Sequence, residues 1–469
     1  MSVKPSTIFI SDNLPVLRGI EDASVDLVYL DPPYNSNKSW VAFDDDGNVS
    51  AHFKDTWTLA DIDIAWWGRL ASKKNAKLYS VLRTVQDLDG SRNGKNISYC
   101  VYMSIRLLEM HRILKPSGAL VLQCDDVMGP HLRFVLDAIF GPKNMVNVVA
   151  WNRKPKGVGN IAKKQLPRSF DYIYYYRKSA KHKFRPQYRE YDDLSNYRFE
   201  DEKGKYYAVG MAKNGSGMLY EFEGVTREWS CTEAKMRELH AQGLLVQLKE
   251  GGLFYKKNYL SDAKGVLVGN FWDDIDAAEP LKGVDYPTRK PLELLKRIIS
   301  MTTDRDDLVL DPFCGCATTC VAAEVLGREW VGIDLSSEAV VLVAKRMKVQ
   351  LPGDMLSPKI NQRTRAPKPI HSISSKEELK NRMYGECEGE CIGCGAWKPH
   401  SDMDVDHIIP RKTGDHEIEF DENKQLLCRT CNNRKSNRSM KKLMEANLRD
   451  GIISKKYYDK VMKSREWPE

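Results

Sequence analysis

The sequence predicts an α/β chain: a doubly wound, mostly parallel sheet carrying an inserted region, followed by a small cysteine-framed module. Three observations predict it. Val25-Asp26-Leu27-Val28-Tyr29-Leu30 is a short apolar run halted by Asp31-Pro32-Pro33-Tyr34, and two prolines cannot donate to a strand ladder. Asp307-Leu308-Val309-Leu310 is a second such run; it enters the small-residue turn Asp311-Pro312-Phe313-Cys314-Gly315-Cys316-Ala317 and then a helical stretch, Cys320 to Gly327. Near the end, two C-x-x-C pairs, Cys391/Cys394 and Cys428/Cys431, enclose a polar segment.

The first turn holds an acid and an aromatic ring at the carboxyl end of a buried strand, where open α/β sheets bind ligands. Taken alone, those four residues are an ordinary Pro-Pro turn with a solvated Asp. Their chemical use is specific. The exocyclic amino group of a DNA base is a poor nucleophile, because its lone pair is delocalised into the ring. Asp31 and the Pro32 carbonyl can accept hydrogen bonds from that group and favour the pyramidal nitrogen needed for attack. Tyr34 can stack on a base swung out of the duplex.

The second turn changes the balance. Strand, small-residue turn, helix lets a ligand approach the backbone closely. The next strand, Trp330 to Asp334, ends in an acid suited to ribose hydroxyls. Together the two turns resemble those of the DNA amino-methyltransferases, which carry D-P-P-Y and F-x-G-x-G turns on adjacent strands. The D-P-P-Y comes first, which is similar to the β-type order of that family. Ala317 departs from the pattern, standing where the second glycine usually lies. The resemblance implies a Rossmann-like methyltransferase sheet that binds S-adenosylmethionine, with Asp31, Pro32 and Tyr34 catalytic. It places Asp12, Asp31, Thr288, Lys290, Asp311, Phe313, Gly315 and Asp334 at the cofactor.

The totals agree with that expectation. At 469 residues the chain is long enough for two or three domains. The net charge of +8 is compatible with nucleic acid. No apolar run approaches the ~18 residues of a membrane span, and no basic-then-apolar secretory segment opens the chain. The expectation is a cytoplasmic protein acting on double-stranded DNA, with no membrane partner and an oligomeric state left open. Eleven cysteines in such a chain favour a metal site over a disulfide framework.

In chain order, Thr7 to Asp12 reads as a strand ending in an acid, which can equally cap a helix. Asn35 to Trp57 reads as an active-site loop, and Arg69 to Lys95 as an exposed insertion. Ser98 to Leu114 has apolar positions at helical spacing, and Ala119 to Cys124 reads as the next strand. His131 to Phe140 is an amphipathic helix; Val146 to Trp151 and Phe170 to Tyr176 are strands. The basic loop between those strands, Asn152 to Ser169, suits backbone phosphates. Residues 1–178 and 279–351 thus form the methyltransferase. Residues 179–278 fall in the slot of a target-recognition region. Thr288-Arg289-Lys290-Pro291 opens a helix, Leu292 to Met301. It resembles the family's T-x-K-P element, which implies a hydroxyl and an ammonium at the cofactor's carboxylate. Residues 352–380, rich in Pro, Lys and Arg, read as a linker.

Cys391, Cys394, Cys428 and Cys431 have the spacing of a tetrahedral Zn(II) site, which would compensate for a segment too short to bury much core. Between the pairs lie Asp404-Val405-Asp406-His407-Ile408-Ile409-Pro410, then Asn423 and Asn432-x-x-Lys435. This resembles the HNH, or ββα-metal, nucleases over residues 381–440. The resemblance implies His407 as general base, Asp406 and Asn432 as ligands of Mg(II), and Asn423 as the middle Asn that supports the His-bearing loop. Residues 441–469 read as a basic helix. The leading expectation is one chain that methylates an exocyclic base nitrogen, adenine N6 preferred over cytosine N4, and cuts DNA. The alternative is a solitary methyltransferase with a zinc module that only grips DNA. Cytosine C5 chemistry is disfavoured, since the Pro-Cys pair it uses is absent.

Overall fold

Nine strands form the central sheet of a computed structural model of this chain. It describes residues 4–35, 38–43, 49–55, 65–90, 94–153, 166–278, 289–351, 359–371, 374–408, 423–464 and 467, with backbone alone at 38–43, 49–55, 65 and 338. The strands are β1 (Thr7–Ile10), β2 (Val25–Leu30), β3 (Leu114–Cys124), β4 (Met145–Asn152), β5 (Phe170–Arg177), β6 (Phe271–Trp272), β7 (Leu308–Asp311), β8 (Glu329–Asp334) and β9 (Asn361–Arg363). Their order across the sheet is β6-β4-β5-β3-β2-β7-β8-β1-β9. From β3 through β2, β7, β8 and β1 to β9 every pairing is parallel, whereas β5 runs antiparallel to both β3 and β4.

All six residues of β2 are buried, as a strand covered on both faces requires. From β2 the chain moves to β3 on one side; from β7 it moves to β8 on the other. The seam between β2 and β7 is therefore the topological switch point, the place where such sheets bind ligands. Val309 pairs with Leu27 and Leu310 with Val28, so the Asp31 and Asp311 turns leave neighbouring strands at the same end.

Helices α1 (Asn13–Arg18), α2 (Ala65–Leu70), α3 (Ala76–Leu88), α4 (Lys95–Ile113) and α5 (Gly129–Phe140) pack as one group. Helices α6 (Leu292–Thr302), α7 (Thr318–Val325) and α8 (Glu338–Gln350) pack as another. The stretch expected as an exposed insertion is corrected here: α3 buries Leu78, Tyr79, Leu82 and Val85 against the core. Their i, i+4, i+7 spacing was present in the sequence, obscured by the Lys, Arg and Asn around it. No helix of the described residues is long and apolar enough to cross a membrane.

The linker expected over 352–380 is corrected in two places. Asn361–Arg363 extends the sheet beside β1, and Ser375–Glu386 is helix α9. A polar edge strand pairs through its backbone, so hydropathy does not mark it. Helix α9 lies against α2. A Cβ built on Gly68 would fall 2.2 Å from the Asn381 carbonyl oxygen, so only glycine permits this approach. Gly68→Val is expected to destabilise the protein by about 1–3 kcal/mol through overpacking, measured by urea unfolding.

Beyond α9, β10 (Met403–His407) runs antiparallel to β11 (Lys424–Cys428), and α10 (Arg429–Lys435) follows. The single basic helix expected over 441–469 is two helices, α11 (Met440–Arg449) and α12 (Lys455–Lys463). They complete the module's core with Met440, Leu443, Met444 and Val461.

Residues 186–269 form a compact unit of their own, inside the stretch 179–278 read from the sequence as a target-recognition region. It has a four-stranded antiparallel sheet, the hairpin Met218–Phe222/Val225–Trp229 and the helix Glu233–Ala241, started by a Thr232 cap. Its core is Met211, Phe222, Trp229, Met236, Leu239, Leu245 and Phe254.

Candidate functional site

Both oxygens of Asp31 are engaged. Oδ1 accepts from the Tyr34 hydroxyl and Oδ2 from the Lys290 ammonium. Lys290 Nζ also stands 5.6 Å from the centre of the Tyr34 ring. Beneath this turn runs a buried chain of polar groups. Tyr29 Oη donates to Gln123 Oε1 at 2.8 Å, and Gln123 Nε2 donates to Asp171 Oδ2 at 2.9 Å. Burial holds the Asp171 carboxyl above the ordinary range, against the pull of the Lys290 and Arg153 charges.

The second turn is built around Asp311. Its Oδ1 accepts from the Phe313 N–H at 3.1 Å and its Oδ2 from the Thr319 hydroxyl at 2.5 Å. Burial raises the Asp311 carboxyl to about 7, and Asp31 and Asp334 add to the shift against those two donors. Because the folded value lies above the ordinary 3.8, the fold prefers neutral Asp311. That contribution is complete below the ordinary value and is lost as pH rises through about 7. Asp311→Asn is expected to flatten this part of the stability–pH curve, measured by urea unfolding from pH 5 to 8.

Ala317 caps α7 in the left-handed conformation, with φ 56°. The departure from the glycine pattern thus keeps glycine's backbone geometry, at a cost of ~1 kcal/mol for the Cβ. Ala317→Gly is expected to raise stability by up to about that amount, read as a shift of the urea midpoint. Asp334 accepts from the Gly315 N–H at 2.8 Å and the Ser336 N–H at 2.9 Å, which ties β8 to the turn. Burial raises its carboxyl as well.

Asp12 is the N-cap of α1, accepting from the Leu14 N–H at 2.8 Å. It also pairs with the buried Arg106 at 2.7 Å. Arg106 Nε reaches Asn13 Oδ1 at 2.6 Å, and Asn13 Nδ2 reaches the Pro312 carbonyl at 2.8 Å. The Arg106 guanidinium lies 3.4 Å from the Tyr102 ring centre. A second buried guanidinium, Arg346, holds the Cys316 carbonyl at 2.8 Å and the Thr318 hydroxyl at 2.6 Å. Sequence reasoning missed Arg106, Asn13, Arg346, Gln123 and Asp171. For Arg106 a signal existed: it falls on the stripe of Met103 and Met110 in α4, where a charge needs a buried partner.

In the C-terminal module the sulfurs of Cys391, Cys394, Cys428 and Cys431 lie within 4.8 Å of one another. No disulfide joins them. The Cys428 N–H points at Cys391 Sγ (3.2 Å) and the Cys431 N–H at Cys428 Sγ (3.4 Å). Amide donors aimed at sulfur suit thiolates on a metal. On β10, Asp406 Oδ2 accepts from Gln425 Nε2 and pairs with Lys435 Nζ, both at 3.0 Å. The His407 carbonyl accepts from the same ammonium at 2.7 Å. Buried Asn423 receives the Ile408 N–H on its carbonyl at 2.7 Å, which holds the end of the His-bearing strand. Asn432 is half-buried on α10.

Residues 25–345 match the DNA methylase family of N6 and N4 type. The chain belongs to that family. Residues 391–438 of the methylase match the HNH endonuclease family. The chain is 26% identical to the type II methyltransferase M.EcaI of Enterobacter cloacae over 397 residues, covering 81% of this chain and 78% of that one. It is 28% identical to the Mod subunit of the type III restriction-modification enzyme StyLTI of Salmonella typhimurium, over 68% of this chain and 49% of that one. With the DNA adenine methyltransferase YhdJ of Escherichia coli it shares 26% identity, over 73% and 83%. A solved DNA modification methylase from Thermus thermophilus, complexed with S-adenosyl-L-methionine, superposes with a TM-score of 0.36 at 17% identity, over 76% and 98%.

In the methylase, then, Asp31, Pro32, Tyr34 and Lys290 meet at one turn, and Asp12, Asp311, Phe313, Gly315 and Asp334 surround the other. The hydroxyl of Tyr34, expected as a stacking ring, is spent on Asp31. Thr288 lies outside the described residues, as do 154–165 of the expected phosphate-binding loop.

Proposed function

We propose that this chain transfers a methyl group from S-adenosylmethionine to the exocyclic amino nitrogen of a base in double-stranded DNA, adenine N6 in preference to cytosine N4. We read its C-terminal module as a Zn(II)-framed, Mg(II)-dependent endonuclease, so that one chain performs restriction and modification. The observation that carries the first activity is the parallel pairing of β2 with β7 at the switch point, which sets the Asp31 and Asp311 turns side by side. The adenine preference follows from Asp at the head of the D-P-P-Y turn.

The residues present fit the cofactor. The Lys290 ammonium suits its carboxylate, and Asp12, Asp311 and Asp334 line the same end of the sheet. Thr288, Phe313 and Gly315 complete the proposed contacts. When bound, S-adenosylmethionine supplies a methyl group on a sulfonium sulfur. Asp31 and the Pro32 carbonyl accept the two N–H bonds of the base, localise the nitrogen lone pair and stabilise the charge that builds on the nitrogen. Transfer would break the S–C bond and release S-adenosylhomocysteine, and Asp31 is placed to take the proton that the nitrogen sheds. In the module, His407 acts as general base on water, Asp406 and Asn432 hold Mg(II), and Asn423 supports the His-bearing loop. The four cysteines hold Zn(II) structurally.

Long-read sequencing of DNA incubated with the enzyme, S-adenosylmethionine and Mg(II) tests both activities. N6-methyladenine at one repeated site, with breaks that vanish in His407→Ala while methylation persists, supports the reading. Methyl groups on cytosine C5, or breaks unchanged in His407→Ala, overturn it.

A further inference from the structure

The ion pair between Lys290 and Asp31 has a consequence for the order of binding. An ammonium and an exocyclic amino group are both N–H donors, and both need a carboxylate oxygen. With Tyr34 on Oδ1 and Lys290 on Oδ2, the catalytic carboxylate already holds two donors. Each oxygen can accept a second hydrogen bond, but the ammonium and the phenol already stand against it, so a base entering the turn competes with Lys290 for Oδ2. The Lys290 and Asp31 side chains are only 14% and 19% exposed, so water screens this competition weakly.

We propose that Lys290 is a positioning residue that occupies Asp31 in the cofactor-free enzyme, and that the cofactor's carboxylate draws it away before the base can bind. This rests on the methyl-transfer reading above. Lys290 does not lose charge compensation when it leaves. The cofactor's carboxylate takes over the role of Asp31, while Asp171 stays ion-paired with Arg153 at 3.2 Å and hydrogen-bonded to Gln123. The chain thereby enforces an order: cofactor first, target base second. An enzyme that binds its base first would hold it unpaired with no methyl to accept.

The test uses the full-length protein and a duplex that the wild type methylates, with the target base kept and 2-aminopurine placed beside it in the same strand, since the fluorescence of 2-aminopurine rises when its stacking neighbour leaves the duplex. Two ligands are compared: S-adenosylhomocysteine, which keeps the amino-acid carboxylate, and 5′-methylthioadenosine, which lacks it. In the wild type, S-adenosylhomocysteine is expected to tighten base capture by about tenfold, the scale of one charge-assisted hydrogen bond, and 5′-methylthioadenosine to leave it unchanged. Lys290→Met should capture the base with no ligand present, and Lys290→Arg should restore dependence on the carboxylate. The inference is overturned if Lys290→Met, shown folded by its unfolding midpoint, still needs S-adenosylhomocysteine, or if both ligands act alike on the wild type. A wild type that methylates no base in any DNA overturns the methyl-transfer reading itself, and the inference with it.

Discussion

Asp31→Ala is expected to lower methyl transfer by about a thousandfold, the upper end for removing one preorganised stabilising group from an active site. Two effects act together. The base amino group loses the acceptor that localises its lone pair, and the proton released from nitrogen loses its destination. The substitution also strands the Lys290 ammonium and the Tyr34 hydroxyl, both of which donate to this carboxylate. Asp31→Asn separates the contributions: its carbonyl still accepts one hydrogen bond, but it carries no charge and takes up no proton. Its activity should fall between those of wild type and alanine. Transfer of tritiated methyl groups to DNA measures the rate, and zinc content and unfolding midpoint show that the rest of the chain is intact. Asp31→Ala working within tenfold of the wild type would remove Asp31 from the chemistry.

The parts of this fold that were legible in the sequence are those where one physical demand dominates. The strands at the seam are short, wholly apolar and stopped by proline or small residues, and β2 and β7 lie where those signals put them. The four cysteines converge because their spacing serves one geometry. What escaped notice depends on partners far along the chain. Arg106 and Arg346 look like surface charges until Asn13, Asp12 and the Cys316 carbonyl are brought to them. Asp171 reads as a polar break in a tyrosine-rich strand until the Gln123 side chain on the neighbouring strand is seen to donate to it. The strand Asn361–Arg363 has no apolar residue at all, and its pairing beside β1 is a matter of backbone alone. Cutting after residue 351 would remove both an edge strand and α9, baring Trp67 and Tyr79, so a clean separation of the two activities is not to be expected there.

Removing the proposed metal should do what truncation cannot. Loss of Zn(II), by chelation or by Cys428→Ser with Cys431→Ser, is expected to unfold the module while leaving the central sheet folded. A structural zinc site contributes about 10–16 kcal/mol, more than a module of this size gains from its own core. The thiols sit at the centre of that core. Cys391 is fully buried, Asn447 of α11 donates to the Gly393 carbonyl at 2.9 Å, and the Tyr457 hydroxyl of α12 reaches the Ile392 carbonyl at 3.3 Å. The loop bearing two thiols is thus the surface on which both C-terminal helices dock. Without metal, four sulfurs within 4.8 Å either repel as thiolates or protonate and leave a poorly packed hole. Calorimetry of the metal-free protein should show the module's transition lost and that of the sheet retained, shifted down by the exposed face of α2. DNA cleavage should vanish, and methyl transfer should survive in reduced measure. A metal-free protein that still melts with both transitions at their original temperatures would mean that the four cysteines are packing residues and that the module folds by its apolar contacts alone.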